Sequence, residues 1–155
     1  ELTKKMLDQP APAFALKNLK GENVSLEALR GKVVVVDFWA TWCGPCKSSF
    51  PGMQQAVDKY QSDPNVAFVF VDTWENVSDK EKNAGDFIKN NAYTFNVLMD
   101  NDNKVVTSFG VSGIPTKFVV DKLGKIRFKS VGYAGSTDAL VEEIGLMIEI
   151  AKGAP

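Results

Sequence analysis

Val33-Val-Val-Val-Asp-Phe-Trp-Ala-Thr-Trp-Cys-Gly-Pro-Cys-Lys47 begins with seven residues that are β-branched or aromatic except for one carboxylate. Apolar and polar residues do not alternate in Val33–Trp39, so the run reads as a central strand buried on both faces. It leads straight into two cysteines. From Cys43 onward, Phe50, Met53, Val57 and Tyr60 recur at helical spacing, which places the pair at the mouth of a helix ending around Gln61. Pro51 inside that pattern lacks an N–H and is expected to kink the helix. Val66-Ala-Phe-Val-Phe-Val71 is a second buried strand, and strand–helix–strand in this order predicts parallel pairing through a right-handed crossover.

Working outward, Ser78-Asp-Lys-Glu81 matches a capping box, and Ala84, Phe87 and Ile88 give the helix after it one apolar face. Phe95–Met99 reads as a short strand. Lys104–Phe109 is ambiguous, because Val105, Val106 and Thr107 favour a strand while a place between two strands invites a crossover helix. Thr116–Val120 and Lys125–Val131 flank Asp121-Lys-Leu-Gly124, a hairpin with glycine in the left-handed position. Ser136 is placed to cap a last helix carrying Leu140, Ile144, Met147, Ile148 and Ala151 on one face.

Toward the N-terminus, Phe14–Leu26 has two apolar-bearing arms around Gly21 and suits a β-hairpin, followed by a single helical turn over Leu26–Gly31. Residues 1–12, polar with prolines at 10 and 12, read as a surface lead-in to a domain spanning 13–155. The fold class is therefore α/β: a mixed sheet with helices on both faces and an N-terminal hairpin.

A chain of 155 residues that is 45% hydrophobic can bury one sizeable core and is short for two. Its net charge of −1 and lack of a Lys/Arg cluster exclude a phosphate-tracking surface, so no nucleic-acid partner is expected. No stretch approaches the roughly 20 apolar residues that span a bilayer, so the domain itself is expected to make no membrane contact, with a tether left to a full-length protein. The start at Glu1-Leu2-Thr3 reads as a processed product or a piece of something longer.

The sequence contains no histidine. Histidine-based triads, histidine metal ligands and c-type haem attachment are thereby excluded; the last needs a His directly after C-x-x-C, where this chain has Lys47. Two cysteines alone cannot supply the four ligands of a structural zinc or iron–sulfur site. No metal and no cofactor are expected, which leaves thiol–disulfide chemistry. At a helix mouth the unpaired N–H groups and the helix dipole favour a thiolate on the first cysteine, so Cys43 is the expected nucleophile. Cys46, further into the helix and more buried, is the expected resolving thiol. The competing reading is a structural disulfide or two inert core thiols, although so short a loop restrains the unfolded chain only weakly.

Val36-Asp-Phe-Trp-Ala-Thr-Trp-Cys-Gly-Pro-Cys-Lys47 resembles the active-site segment of thioredoxins, and Gly113-Ile-Pro-Thr116 resembles their second signature. The hairpin ending in Val24-Ser-Leu-Glu-Ala-Leu-Arg-Gly31 and the long stretch between Asp72 and Gly110 resemble the TlpA/ResA-type extracytoplasmic thioredoxin-like proteins, in which a helix and strand are inserted after the second core strand. The resemblance covers about residues 10 to 152.

The resemblance implies that Asp37 is the buried carboxylate that takes the Cys46 proton, its pKa raised by an apolar strand. An Asp that merely caps a turn is the alternative. It implies that Trp42 walls the site, with Trp39 equally explained by packing, and that Ile114–Pro115 is cis and leaves the Ile114 main chain free to pair with an extended substrate. By base rate, an X–Pro bond is trans. Gly44 and Pro45 resemble the spacer of the reducing members. Lys47 adds positive field or is simply solvated. ResA-like proteins carry an acidic residue where this chain has Gly44, so their acid-assisted mechanism and haem-protein partners are not carried over. Thioredoxins have a lysine near the buried carboxylate roughly where Phe68 stands here, so Asp37 is expected to lack a cationic neighbour.

The reading that follows is a monomeric thiol–disulfide oxidoreductase acting as a reductant on disulfide-containing proteins and reset by an upstream thiol reductant, in the bacterial periplasm or cell envelope. Two alternatives remain: a redox-sensing or docking module of a larger envelope protein, and a thiol peroxidase. Against the peroxidase, the chain lacks Pro-x-x-x-Thr/Ser-x-x-Cys.

Overall fold

The computed structural model describes residues 2–154. In chain order the elements are β1 (Gln9–Pro10), β2 (Ala15–Asn18), β3 (Asn23–Ser25), β4 (Val33–Trp39), α1 (Gly44–Lys59), β5 (Val66–Asp72), α2 (Lys80–Asn90), β6 (Val97–Met99), α3 (Lys104–Ser108), β7 (Thr116–Val120), β8 (Lys125–Val131) and α4 (Thr137–Lys152). Short 3-10 turns cover Leu2–Lys5 and Glu27–Leu29. The strands form one mixed sheet in the order β1-β8-β7-β4-β5-β6-β2-β3. β4, β5 and β6 run parallel, while the remaining neighbours pair antiparallel.

Every residue of β4 is buried, Asp37 included, as a run without apolar–polar alternation predicts. Successive side chains point to opposite faces. Val33, Val35 and Trp39 join one apolar cluster with residues of α1, α2 and α4, while Val34, Val36 and Phe38 join another with Val105 and Val106 of α3 and Phe14 and Leu26 of the N-terminal hairpin region. Phe50 of α1 anchors the first cluster: its ring lies 5.1 Å from Trp39, 5.9 Å from Phe70 and 5.0 Å from Phe95, centroid to centroid. α1 and α4 approach closely at Gly52, where a Cβ would stand 3.0 Å from the Leu140 side chain. α1 runs without interruption through Pro51.

Three expectations are adjusted. Residues 2–12 are more than a lead-in, because β1 pairs with the edge strand β8 and Leu7 N donates to the Arg127 carbonyl at 2.7 Å. An open edge offers unpaired backbone groups, and Pro10, with no N–H, is tolerated there. Glu1 and Pro155, the ends of the expected division, lie outside the described residues. The α2 cap is Asp79, whose Oδ1 accepts from Lys82 N, and not Ser78; an ionised cap gains from the helix dipole as well. The strand expected over Phe95–Met99 begins at Val97.

Of the two readings open for Lys104–Phe109, the helix forms, over Lys104–Ser108, despite its β-branched residues. The buried Asp100 supplies both carboxylate oxygens to the first-turn N–H groups, Oδ1 to Val105 and Oδ2 to Val106. No helix among the described residues is long and apolar enough to cross a membrane.

Because Phe50 is wholly buried and its ring meets rings from β4, β5, α2 and the approach to β6, Phe50→Ala is expected to cost about 3–5 kcal/mol. Urea unfolding followed by circular dichroism checks this; a loss below ~1 kcal/mol would show that the cluster collapses around the gap.

Candidate redox site

β4 delivers the chain to the turn Ala40–Cys43, closed by Cys43 N donating to the Ala40 carbonyl at 3.1 Å. Cys43 is the N-cap of α1, and Cys46 lies in the helix's first turn. A short spacer with Pro45 in the first turn costs nothing in helix bonds, since an N–H there has no intrahelical partner. The two cysteines form a disulfide with their Cα atoms 5.3 Å apart. The main-chain N–H of Cys46 points at Cys43 Sγ, 3.2 Å away, so the helix end presents its unpaired donors to this sulfur. Cys46 is fully buried, while Cys43 retains 3% exposure, the ordering that an attacking and a resolving sulfur need. Gly44, Pro45 and Lys47 are exposed.

The two tryptophans part company. Trp39 is wholly buried against Phe50 and Phe87, a core residue. Trp42 is 53% exposed, held by its indole N–H donating to the Trp74 carbonyl at 2.9 Å. Ile114–Pro115 is cis. Ile114 packs against the cluster that contains both cysteines, and among the described residues its main chain makes no backbone hydrogen bond. Gly132 N donates to the Pro115 carbonyl at 2.8 Å, which ties this corner to the end of β8.

Asp37 sits at an odd position of β4, so its side chain shares the face of Val33, Val35 and Trp39, the face covered by α1 and its cysteines. It is fully buried, and neither carboxylate oxygen has a hydrogen-bond partner. The expectation that it lacks a cationic neighbour is overturned. Lys117 of β7 stands directly opposite Asp37 in the antiparallel β4–β7 ladder, with Nζ 3.8 Å from Oδ2. Phe68 is two positions down β5, beside Val35, and the β5 residue beside Asp37 is Phe70.

The cation therefore comes from the opposite side of β4. It is 2% exposed and also reaches Ser49 Oγ at 3.5 Å, and that hydroxyl donates to the Cys46 carbonyl at 2.7 Å. Burial raises the Asp37 pKa from 3.8 to about 6, with the Lys117 charge opposing a larger rise. Lys117 and Ser49 were missed from sequence. A lysine within Thr116-Lys-Phe-Val-Val120 is a charge inside an apolar strand, as Asp37 is, but only the register pairs them.

The fold and this site together define a thioredoxin-like thiol–disulfide oxidoreductase. The chain belongs to the AhpC/TSA family, whose sequence profile matches residues 7–129. It is 33% identical over 129 residues to a thiol-disulfide oxidoreductase ResA of Bacillus cereus, a match covering 83% of this chain and 72% of that one. Among solved structures it is similar to StoA from Bacillus subtilis, at TM-score 0.70 and 30% identity, covering 85% of this chain and 96% of that one. A thioredoxin-family thiol:disulfide interchange protein from Chlorobium tepidum TLS matches at TM-score 0.77 and 28% identity, covering 95% and 98%.

Since the folded pKa of Asp37 lies above its ordinary value, the native state holds this proton more tightly than the unfolded chain. The stability it contributes is full below about pH 4 and is lost as pH rises through about 6, an effect of ~3 kcal/mol. The difference in urea stability between wild type and Asp37→Asn, measured from about pH 4 to 8, is expected to follow that slope. Lys117→Met removes the opposing cation and is expected to move the break to higher pH; an unmoved break would show that the two side chains do not interact.

Proposed function

We propose that this chain reduces disulfides in protein substrates, in the bacterial periplasm or cell envelope, and is returned to its dithiol form by an upstream thiol reductant. The observation that carries the reading is Cys43 at the open N-terminus of α1 with Cys46 sealed behind it. The Cys43 thiolate attacks one substrate sulfur, forming a mixed disulfide and releasing the other as a thiolate. Asp37 takes the Cys46 proton as that thiol attacks Cys43 Sγ, closing the Cys43–Cys46 disulfide and releasing the second substrate thiol. Two electrons have passed to the substrate.

Trp42 and the exposed Gly44–Pro45 spacer form the entry, and the unpaired Ile114 main chain beside Pro115 offers an extended substrate a strand-like partner. Gly44-Pro45, as in reducing thioredoxins, supports reduction over oxidation. The inserted α2–β6 segment, as in TlpA/ResA-type proteins, supports the envelope location.

Insulin reduction by the dithiol form tests the activity, and Cys43→Ser is expected to abolish it. Cys46→Ser is expected to accumulate mixed disulfides through Cys43 with several proteins; capture of one partner or none, without turnover, would indicate a docking module. The Cys43/Cys46 potential is expected near thioredoxin's roughly −270 mV, and a value near roughly −120 mV would assign an oxidase. Direct peroxide consumption is expected to be negligible.

A further inference from the structure

The turn Ala40–Cys43 exposes its two central residues to the segment that follows β5, and consecutive residues of that segment grip both. Glu75 Oε2 accepts from Thr41 N, and Glu75 Oε1 accepts from Thr41 Oγ1, each at 2.7 Å. The Trp74 carbonyl accepts from the Trp42 indole at 2.9 Å. Thr41 Oγ1 also accepts from Asn83 Nδ2 of α2 at 2.8 Å, so its own proton is committed to Glu75. Both Glu75 oxygens are therefore acceptors, which is the hydrogen-bond pattern of an ionised carboxylate.

The grip is itself fixed from behind. Trp74 lies in the left-handed region at φ 55°, uncommon for a bulky residue, and Asn103 Oδ1 holds it there by accepting from Trp74 N at 2.8 Å.

We propose that Glu75 is a positioning residue of the redox reaction: its carboxylate fixes the turn from which Cys43 hangs, and its negative charge there sets the balance between the Cys43 thiolate and the Cys43–Cys46 disulfide. Asp72, buried at the end of β5, bears on the same assignment. Burial first, then the Glu75 carboxylate beside it and the charge of Glu81, push its pKa up to about 10, with Lys80 opposing. Asp72 therefore carries a proton near neutral pH. The inference rests on the thiol–disulfide activity described above and adds a residue outside the C-x-x-C segment to it.

Glu75→Gln tests it. Glutamine presents one acceptor oxygen where Thr41 needs two, and it removes the charge. Without that charge the Cys43 thiolate is favoured, so the Cys43 thiol pKa, read by thiolate absorbance, is expected to fall. The equilibrium constant for oxidation by glutathione is expected to move at least tenfold toward the dithiol form, about 30 mV for this two-electron couple. Glu75→Asp, which keeps the charge, is expected to restore part of both shifts.

A merely structural role would lower thermal stability and leave the thiol pKa and the potential where they are; that result overturns the proposal. If Glu75→Gln does not fold, Glu75→Ala, which removes the charge and both acceptor oxygens, is read by the same two measurements and must shift them in the same direction. Wild type that exchanges with glutathione while both variants match it overturns this inference alone. Wild type with no exchange overturns the activity as well.

Discussion

The ion pair of Asp37 and Lys117 sets the terms for the rest of the molecule. Two charges in the middle of the sheet, one on β4 and one on β7, are costly to desolvate, and their attraction offsets that cost only if register and packing hold them together. At 3.8 Å they are paired without a direct hydrogen bond, so the attraction is incomplete and Asp37 remains poised near pH 6. A tighter pair would leave the carboxylate a poor base. A missing lysine would leave its pKa higher still. The compromise in packing is what leaves this carboxyl with a pKa near neutrality.

The surrounding architecture keeps that balance. Rings from β4, α1, β5, α2 and the approach to β6 close over the same face of the sheet, excluding water from the ion pair and from Cys46. On the far side of β4, α3 and the N-terminal hairpin cover the other face. Sealing one sulfur while leaving the other at a helix mouth follows from cap geometry: the N-cap residue stands half outside the helix, and the third residue along turns inward. In the segment after β5, Trp74 and Glu75, with Asn83 of α2, hold the turn ahead of Cys43 by hydrogen bonds to Thr41 and Trp42.

Much of this was legible from residue order. The non-alternating run Val33–Trp39, the cysteine pair a short turn after it and the helical spacing of Phe50, Met53 and Val57 are local patterns, and local patterns specify a buried strand followed by a helix carrying a redox pair. The Asp121–Gly124 hairpin and the Ser136 cap likewise depend on residues within a few positions of each other, and both form as read. Short or edge elements read less well. β1 is two residues long and forms because β8 offers an open edge, and α3 is helical because Asp100, outside it, binds its first N–H groups.

By itself, then, the sequence determined the chemistry: two cysteines at helix-mouth spacing, no histidine, and a carboxylate in a strand that must be buried. Tertiary structure alone decided the tuning. Lys117 is 80 positions from Asp37 along the chain, and Glu75 is 34 from Thr41. No spacing rule joins residues so far apart. Strand order put β7 beside β4, and the parallel step from β4 to β5 put the segment after β5 beside the cysteine turn. Coulomb attraction and hydrogen bonds act over ångströms in space, and the neighbours that set the acidity and the turn geometry of this site are therefore chosen by the sheet.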